Sequence, residues 1–368
     1  MKILIASGTY PPELGGMATF VKNFADRALA QGHAVKLIAY GQADSLTRDP
    51  FWTMIISRNT LLAVRYLRYF LAAFSEARKC DFIFAQDLVS SGIPAFLASV
   101  FSAKKLVLRL GGDFLWEKMV QKGRIAGLNA YYDLPKSLIE KVYLFFYRLV
   151  LRRAKKIIFN SVLQADLYHR HFNLPESKTA VIYNPVGRQT IVQAQKRYFR
   201  LVFAGRFIKV KNIPLILSAL KSVPSIPELL LVGDGPEKNS LPGLIEREKL
   251  QGRVKILQSM QGNEFAKLIA ESWAVVIPSF TELSPNLALE CIGLHVPVLL
   301  TSFNGLPQDV RKALLEFNPF KVSELVERLH FLLNQQNYEN YLKTLKTIRL
   351  DRGWTEVLGD YQAVFSNL

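Results

Sequence analysis

Two glutamates eight positions apart, Glu282 and Glu290, stand in the segment Pro278-Ser-Phe-Thr-Glu-Leu-Ser-Pro-Asn-Leu-Ala-Leu-Glu290. The first falls in a loop. The second lies two turns into a helix that the pattern predicts to begin near Pro285, so both can face one crevice. Carboxylates accept hydrogen bonds and so suit the hydroxyls of a sugar or ribose, which donate. A proline at the helix start also leaves the N–H groups of Asn286, Leu287 and Ala288 for whatever occupies that crevice. As surface acids the pair would be ordinary, but Glu290 interrupts the apolar positions Leu287, Cys291 and Leu294.

A second pair is cationic. In Ala204-Gly-Arg206-Phe-Ile-Lys209-Val-Lys211-Asn212, Arg206 supplies a planar fork and Lys211 a point charge, a combination suited to neutralising a leaving diphosphate; solvated surface is the plain alternative. In Ser7-Gly-Thr-Tyr-Pro-Pro-Glu-Leu-Gly15-Gly16, the paired glycines allow close backbone approach, and the helix start behind them favours an anion; a simple tight turn accounts for them equally well. Asp113, in Arg109-Leu-Gly-Gly-Asp113-Phe-Leu-Trp-Glu117, can orient an acceptor hydroxyl or take its proton, or can cap a helix. Gly233-Asp-Gly-Pro236 reads as an architectural turn. The histidines at 33, 169, 171, 295 and 330 make no ligand set and no Asp-x-Asp occurs, so neither metal nor cofactor is expected.

These residues need strand ends to hold them. Strand-like apolar runs at 2–6, 34–39, 81–85, 105–110, 156–160 and 179–182 alternate with amphipathic segments at 17–31, 60–78, 90–101, 137–153 and 161–172. The pattern restarts with strands at 199–204, 228–232, 253–257, 274–277 and 297–300, and helices at 213–220, 236–250, 264–271 and 285–294. Two doubly wound α/β domains in tandem are predicted, 1–187 and 198–350, joined by a polar linker over 188–197. The motifs above then follow predicted strands, at the carboxyl ends where such sheets bind ligands. Helices are also expected at 321–333 and 353–365, the latter with Trp354, Val357, Tyr361 and Phe365 on one face.

With 368 residues, half of them hydrophobic, the chain has enough apolar content for two full cores. The net charge of +17 is unevenly spread: residues 1–190 hold 26 of the 47 basic and 13 of the 30 acidic residues, an excess of +13. That points the first half toward an anionic partner or marks a solvated basic surface. Segments 60–74 and 143–156 mix aromatic, aliphatic and basic residues at helical spacing, as an anionic membrane interface or a core helix with snorkelling cations would. Nucleic-acid binding finds no motif. Cys80 and Cys291 read as buried thiols. The opening MKILIA runs into a turn with no leader pattern, so a cytoplasmic location, at the inner face of the cell membrane, is expected.

Taken together, the PPELGG loop, FADRALAQGHAV after it, FAGRFIKVKN, LLLVGDGPE and PSFTELSPNLALECIGLHVPV resemble glycosyltransferase family 4, and the resemblance covers nearly the whole chain. It implies the GT-B fold, two Rossmann-like domains facing a cleft. The implied activity is retaining, metal-independent sugar transfer from a nucleoside diphosphate sugar, UDP- or GDP-linked. By that resemblance Glu290 binds the donor ribose, Glu282 the transferred sugar, and Arg206 and Lys211 the diphosphate. Gly15 and Gly16 close on the phosphates, and the backbone of Ser284, Pro285, Asn286 and Leu287 supports sugar and phosphate. Leu257 and Gln258 border the base, and Asp113 takes the acceptor side.

The resemblance also implies a glycan, lipid-linked or phosphorylated acceptor bound by the first domain, in cell-surface polysaccharide synthesis. A last helix, about 353–368, would cross back onto that domain. The chain departs from the family at Leu283, where glycine is common, at His295-Val296-Pro297 in place of Gly-x-Pro, at Gln308 in place of glutamate, and at Asp113 in place of a histidine. A nucleotide-sugar epimerase on the same architecture, or a donor-binding partner of another transferase, are the competing readings.

Overall fold

The structure, a computed structural model, describes residues 1–13, 15–186 and 196–368, which form two compact units. The first unit holds Met1–Leu115, Leu134–Tyr183 and Thr355–Leu368; the second holds Trp116–Asp133 and Asn184–Trp354. Of the expected linker 188–197, all but the last two residues lie outside the described residues. The segment Trp116–Asp133 clusters with the second unit, whereas the sequence division places it in the first.

In the first unit the strands are β1 (Lys2–Ala6), β2 (Ala34–Gly41), β3 (Ser45–Thr47), β4 (Trp52–Ser57), β5 (Phe82–Ala85), β6 (Lys105–Leu110), β7 (Lys156–Phe159) and β8 (Thr179–Val181). They form one sheet in the order β3-β4-β2-β1-β5-β6-β7-β8, parallel except for the β3–β4 pair. The central strands KILIA and FIFA read as unbroken apolar runs because helices cover both faces of a parallel sheet. The β3–β4 edge hairpin is absent from the sequence expectation. Its first strand, Ser-Leu-Thr, is fully solvent-facing and carries no apolar alternation.

Helix starts follow local chemistry. Ser137 caps the helix Leu138–Arg153 in a reciprocal box with Glu140, and Ser161 caps Val162–Phe172. The last helix, Trp354–Ser366, buries Val357, Leu358, Tyr361 and Phe365. Tyr361 packs among Phe20, Phe24 and Phe84, and its hydroxyl oxygen accepts from Nε of the buried Arg109 (3.1 Å), whose guanidinium lies 3.5 Å from the Phe20 ring centre. The core of the first unit thus includes residues from the far end of the chain.

The second unit holds β9 (Tyr198–Ala204), β10 (Glu228–Val232), β11 (Val254–Leu257), β12 (Ser272–Ile277), β13 (Val298–Thr301) and β14 (Leu315–Phe317), all parallel, in the order β11-β10-β9-β12-β13-β14. The strand order reverses at β9, which lies between β10 and β12. The expected helix 236–250 shrinks to a single 3-10 turn, Lys238–Ser240, and a helix Leu241–Arg247. Pro242 has no N–H to donate, so it is tolerated only in the first turn and fixes the start beside it. A further helix, Gln335–Thr347, escapes the apolar pattern because only Tyr341 and Leu345 are buried along it.

Candidate functional site

In open parallel sheets the crevice forms at the carboxyl ends of the strands, where the order reverses. In the second unit that place is the ends of β9 and β12. Arg206 leaves β9 on a loop held by backbone bonds to the Gly233 turn: Gly205 N–H donates to Val232 O (3.0 Å), Phe207 N–H to Asp234 O (2.8 Å) and Glu237 N–H to Phe207 O (3.0 Å). Such close approach requires glycine. A Cβ on Gly233 would lie 2.0 Å from Gly205 O, and both Gly233 and Gly235 have φ near +150°. The Gly233–Gly235 turn is therefore a scaffold for Arg206. The Arg206 side chain itself is exposed and has no hydrogen-bonding partner among the described residues.

Lys211 ends the 3-10 turn Lys209–Lys211. Its Nζ contacts Oε1 of Glu282, and the same oxygen accepts from Ser279 Oγ at 2.5 Å. Both charged side chains are mostly buried. The backbone of Glu282 is clamped as well: its N–H donates to Phe303 O (2.9 Å) and its carbonyl accepts from Gly305 N–H (2.8 Å). Lys211 and Glu282, 71 residues apart, are thus brought together in one ion pair. Ser279, within the motif but given no role from sequence, is what orients the carboxylate.

The helix after Glu282 runs over Asn286–Gly293 with Pro285 before it, as the pattern predicts. One expectation is corrected. The Asn286 and Ala288 N–H groups are not free, since they donate to Ser284 O (2.9 Å) and Pro285 O (3.0 Å). Proline's φ lets the chain turn tightly enough for both bonds. The Asn184 side chain, from outside the motif, donates to Ser284 Oγ (3.0 Å) and Asn286 Oδ1 (3.2 Å) and ties the helix start down. Glu290 lies on the open side of the helix, opposite buried Ala288, Cys291 and Ile292, and desolvation raises its carboxyl above the ordinary glutamate range. Leu257 ends β11, its carbonyl accepting from Gly233 N–H (3.1 Å), and Gln258 beside it is exposed. Leu283, where the family has glycine, is buried, and His295 keeps the left-handed backbone (φ 54°) that a glycine would favour.

Gly15, Gly16 and Asp113 belong to the first unit. Gly15, with φ of 144°, precedes the helix Gly16–Ala30, and both glycines are exposed. Asp113 is 1% exposed, directly before the helix Phe114–Gln121, and accepts from the Tyr168 hydroxyl (2.9 Å). Among the described residues no three His, Cys, Asp or Glu side chains gather as a metal set, and no helix is long and apolar enough to cross a membrane.

Two Rossmann-like units, the second carrying a cation and carboxylate cluster at its strand switch, define the GT-B class. Comparison with known proteins agrees. The family model "Glycosyltransferase Family 4" matches residues 14–189 and "Glycosyl transferases group 1" matches 189–346. The O-antigen chain mannosyltransferase RfbU of Salmonella typhimurium is 25% identical over 187 residues, 50% of this chain and 53% of that protein. An uncharacterized glycosyltransferase of Methanocaldococcus jannaschii is 24% identical over 341 residues, 84% of this chain and 83% of its own. Among solved structures, Anabaena HepE in complex with UDP and with UDP-glucose superposes with TM-scores of 0.73 and 0.74 at 18% identity, over 100% of both chains. The chain belongs to glycosyltransferase family 4 and is a glycosyltransferase of GT-B fold.

Proposed function

We propose that the protein is a retaining, metal-independent hexosyltransferase. It moves a sugar from a UDP- or GDP-linked donor to a glycan or lipid-linked acceptor in cell-surface polysaccharide synthesis. The observation that carries this reading is the Lys211–Glu282 ion pair beyond the β9 and β12 strand ends, with Arg206 in the loop after β9 and Glu290 on the helix that follows Glu282. In this reading Glu290 accepts from the ribose hydroxyls and Glu282 from the hydroxyls of the transferred sugar. Arg206 and Lys211 offset the charge that builds on the diphosphate as the glycosidic bond breaks. The acceptor hydroxyl attacks from the face the diphosphate leaves, and its proton passes to the leaving phosphate oxygen. Two fixed cations then do the charge stabilisation for which other transferases use a metal ion. Similarity to an O-antigen mannosyltransferase and to a protein complexed with UDP-glucose supports the donor and acceptor classes.

The acceptor reading draws further support from the first unit. Helices Leu62–Ala77, Gly92–Phe101 and Leu138–Arg153 pack side by side, and each leaves large apolar residues in solvent: Leu67, Leu71, Phe101, Val142 and Phe145 are 49–67% exposed. Their only acids, Glu76 and Glu140, are buried, while Lys141, Arg148 and Arg152 are exposed and carry positive charge; Arg68 pairs with Asp44. Exposed apolar residues interspersed with cations along packed helices suit an anionic bilayer, where a lipid-linked acceptor resides. Incubating the protein with a panel of nucleotide sugars and lipid-linked acceptors, with and without EDTA, tests the whole reading. Product with the donor's anomeric configuration and equal yield in EDTA is expected; inversion, or loss of activity restored by metal, refutes it. Sedimentation with phosphatidylglycerol vesicles should fall strongly in high salt and in a Phe145→Glu variant.

A further inference from the structure

The segment Trp116–Asp133 leaves the first unit's sheet after β6 yet clusters with the donor-side unit. It folds as two short helices, Phe114–Gln121 and Leu128–Asp133, closed on itself by a bond from Trp116 Nε1 to Ala126 O (2.9 Å). Two points fasten it. Oε1 of Gln121 accepts from the Lys209 N–H (3.0 Å) while its Nε2 donates to Glu237 Oε1 (2.6 Å). The Leu128 N–H donates to Oγ1 of Thr281 (3.0 Å), whose own hydroxyl donates to Phe280 O (2.7 Å).

Each fastening lands next to a donor residue. Lys209 opens the turn that ends in Lys211, Glu237 follows the glycine turn that scaffolds Arg206, and Thr281 precedes Glu282. The Lys209–Lys211 turn has little hold of its own: a single 3-10 turn supplies few internal bonds. Its other end is fixed by Asn212 Nδ2, which donates to Pro278 O and Pro319 O, and its middle by Phe280 N–H donating to Val210 O. Gln121 completes the frame at the first residue. A side-chain amide is the group that can satisfy both sides at once, since it accepts from a backbone N–H and donates to a carboxylate.

We propose that Gln121 is a positioning residue of the donor site, holding the Lys209–Lys211 turn against the Glu237 loop so that Lys211 and Arg206 meet a diphosphate in a preset geometry. This rests on the donor reading above. Glutamate at 121 would still accept from the Lys209 N–H but would face the Glu237 carboxylate, so Gln121→Glu should split the two loops. Adding Glu237→Gln swaps donor and acceptor and restores the bond.

The test is binding of UDP and of GDP by calorimetry, together with amide hydrogen exchange, in the full-length wild type, Q121E, E237Q and the double variant. Expected in Q121E is an affinity about tenfold weaker for the nucleoside diphosphate that binds wild type, the loss of roughly one well-made hydrogen bond to a charged group. Affinity for the corresponding nucleoside should not change, and exchange at the amides of 209–211 should be faster. The double variant should return to within about twofold of wild type. Unchanged diphosphate affinity in Q121E, or no recovery in the double variant, overturns the positioning role. Unchanged exchange at 209–211 overturns it even if Q121E is poorly folded for ligand work. Wild type that binds neither UDP nor GDP refutes the donor reading itself, and the proposal with it.

Discussion

Replacing Glu290 by glutamine separates the cost of this residue in the free protein from its use in the complex. Desolvation raises the Glu290 carboxyl above the ordinary glutamate range. A carboxyl whose folded pKa lies above its unfolded value stabilises the fold only while protonated. That gain is complete below the unfolded pKa and is lost as pH rises through the folded value. Glutamine stays neutral at every pH, so the free E290Q protein should melt no lower than wild type at pH 7, the difference vanishing toward acid.

Donor binding should move the other way. A carboxylate accepting from ribose hydroxyls contributes hydrogen bonds of ~1.5–3 kcal/mol each, and a neutral amide oxygen keeps about 1 kcal/mol of that. The net loss is about 2 kcal/mol, roughly 30-fold in Kd. Wild-type affinity should also weaken by up to about tenfold per pH unit below the raised Glu290 pKa, because protonation must be undone before binding. E290Q should show no such slope. Calorimetric titration with UDP and GDP from pH 5 to 8 measures both. Wild-type affinity in E290Q, or an unchanged pH slope, would refute the ribose role.

Other consequences are simpler. Arg206→Ala should leave the melting temperature unchanged, since the side chain is exposed and unpartnered among the described residues, yet weaken nucleoside diphosphate binding about 10- to 100-fold; equal binding would remove Arg206 from the site. Tyr361→Phe withdraws the oxygen that accepts from buried Arg109 and should cost about 1–3 kcal/mol in urea unfolding, an effect that a phenylalanine-tolerant core would not show. His295→Gly should stabilise the second unit by about 1 kcal/mol, because residue 295 holds a left-handed backbone with a side chain attached; a lower melting temperature would contradict that account.

The alternation of apolar runs and amphipathic segments sufficed for most strands, because parallel strands buried on both faces carry unbroken apolar signals. It failed where burial is slight, at the solvent-facing Ser45–Thr47 strand and along Gln335–Thr347. At the site, residue types marked out Lys211 and Glu282, but their pairing is a property of the β9–β12 neighbourhood. Gln121 and Asn184 carried no local mark at all. A lone amide acquires its role from a backbone N–H 88 residues away or a serine hydroxyl 100 residues away, distances at which sequence spacing says nothing. The left-handed His295 was half visible, since the family's glycine at that place implies a positive φ.

The aromatic nest of Phe20, Phe24 and Phe84 closed by Tyr361 and Phe365 has a consequence for biosynthesis. The first unit's strands are all made by residue 181, but the helix that covers their core is translated only after the second unit. At about 5–20 residues per second, the ribosome needs roughly 10–50 s between Arg109 and its partner Tyr361. Through that interval the nascent domain carries an open hydrophobic seam and a buried-to-be guanidinium still in water. The half of the molecule that is synthesised first is therefore the half that finishes folding last, and it is this half that should depend on chaperones during translation.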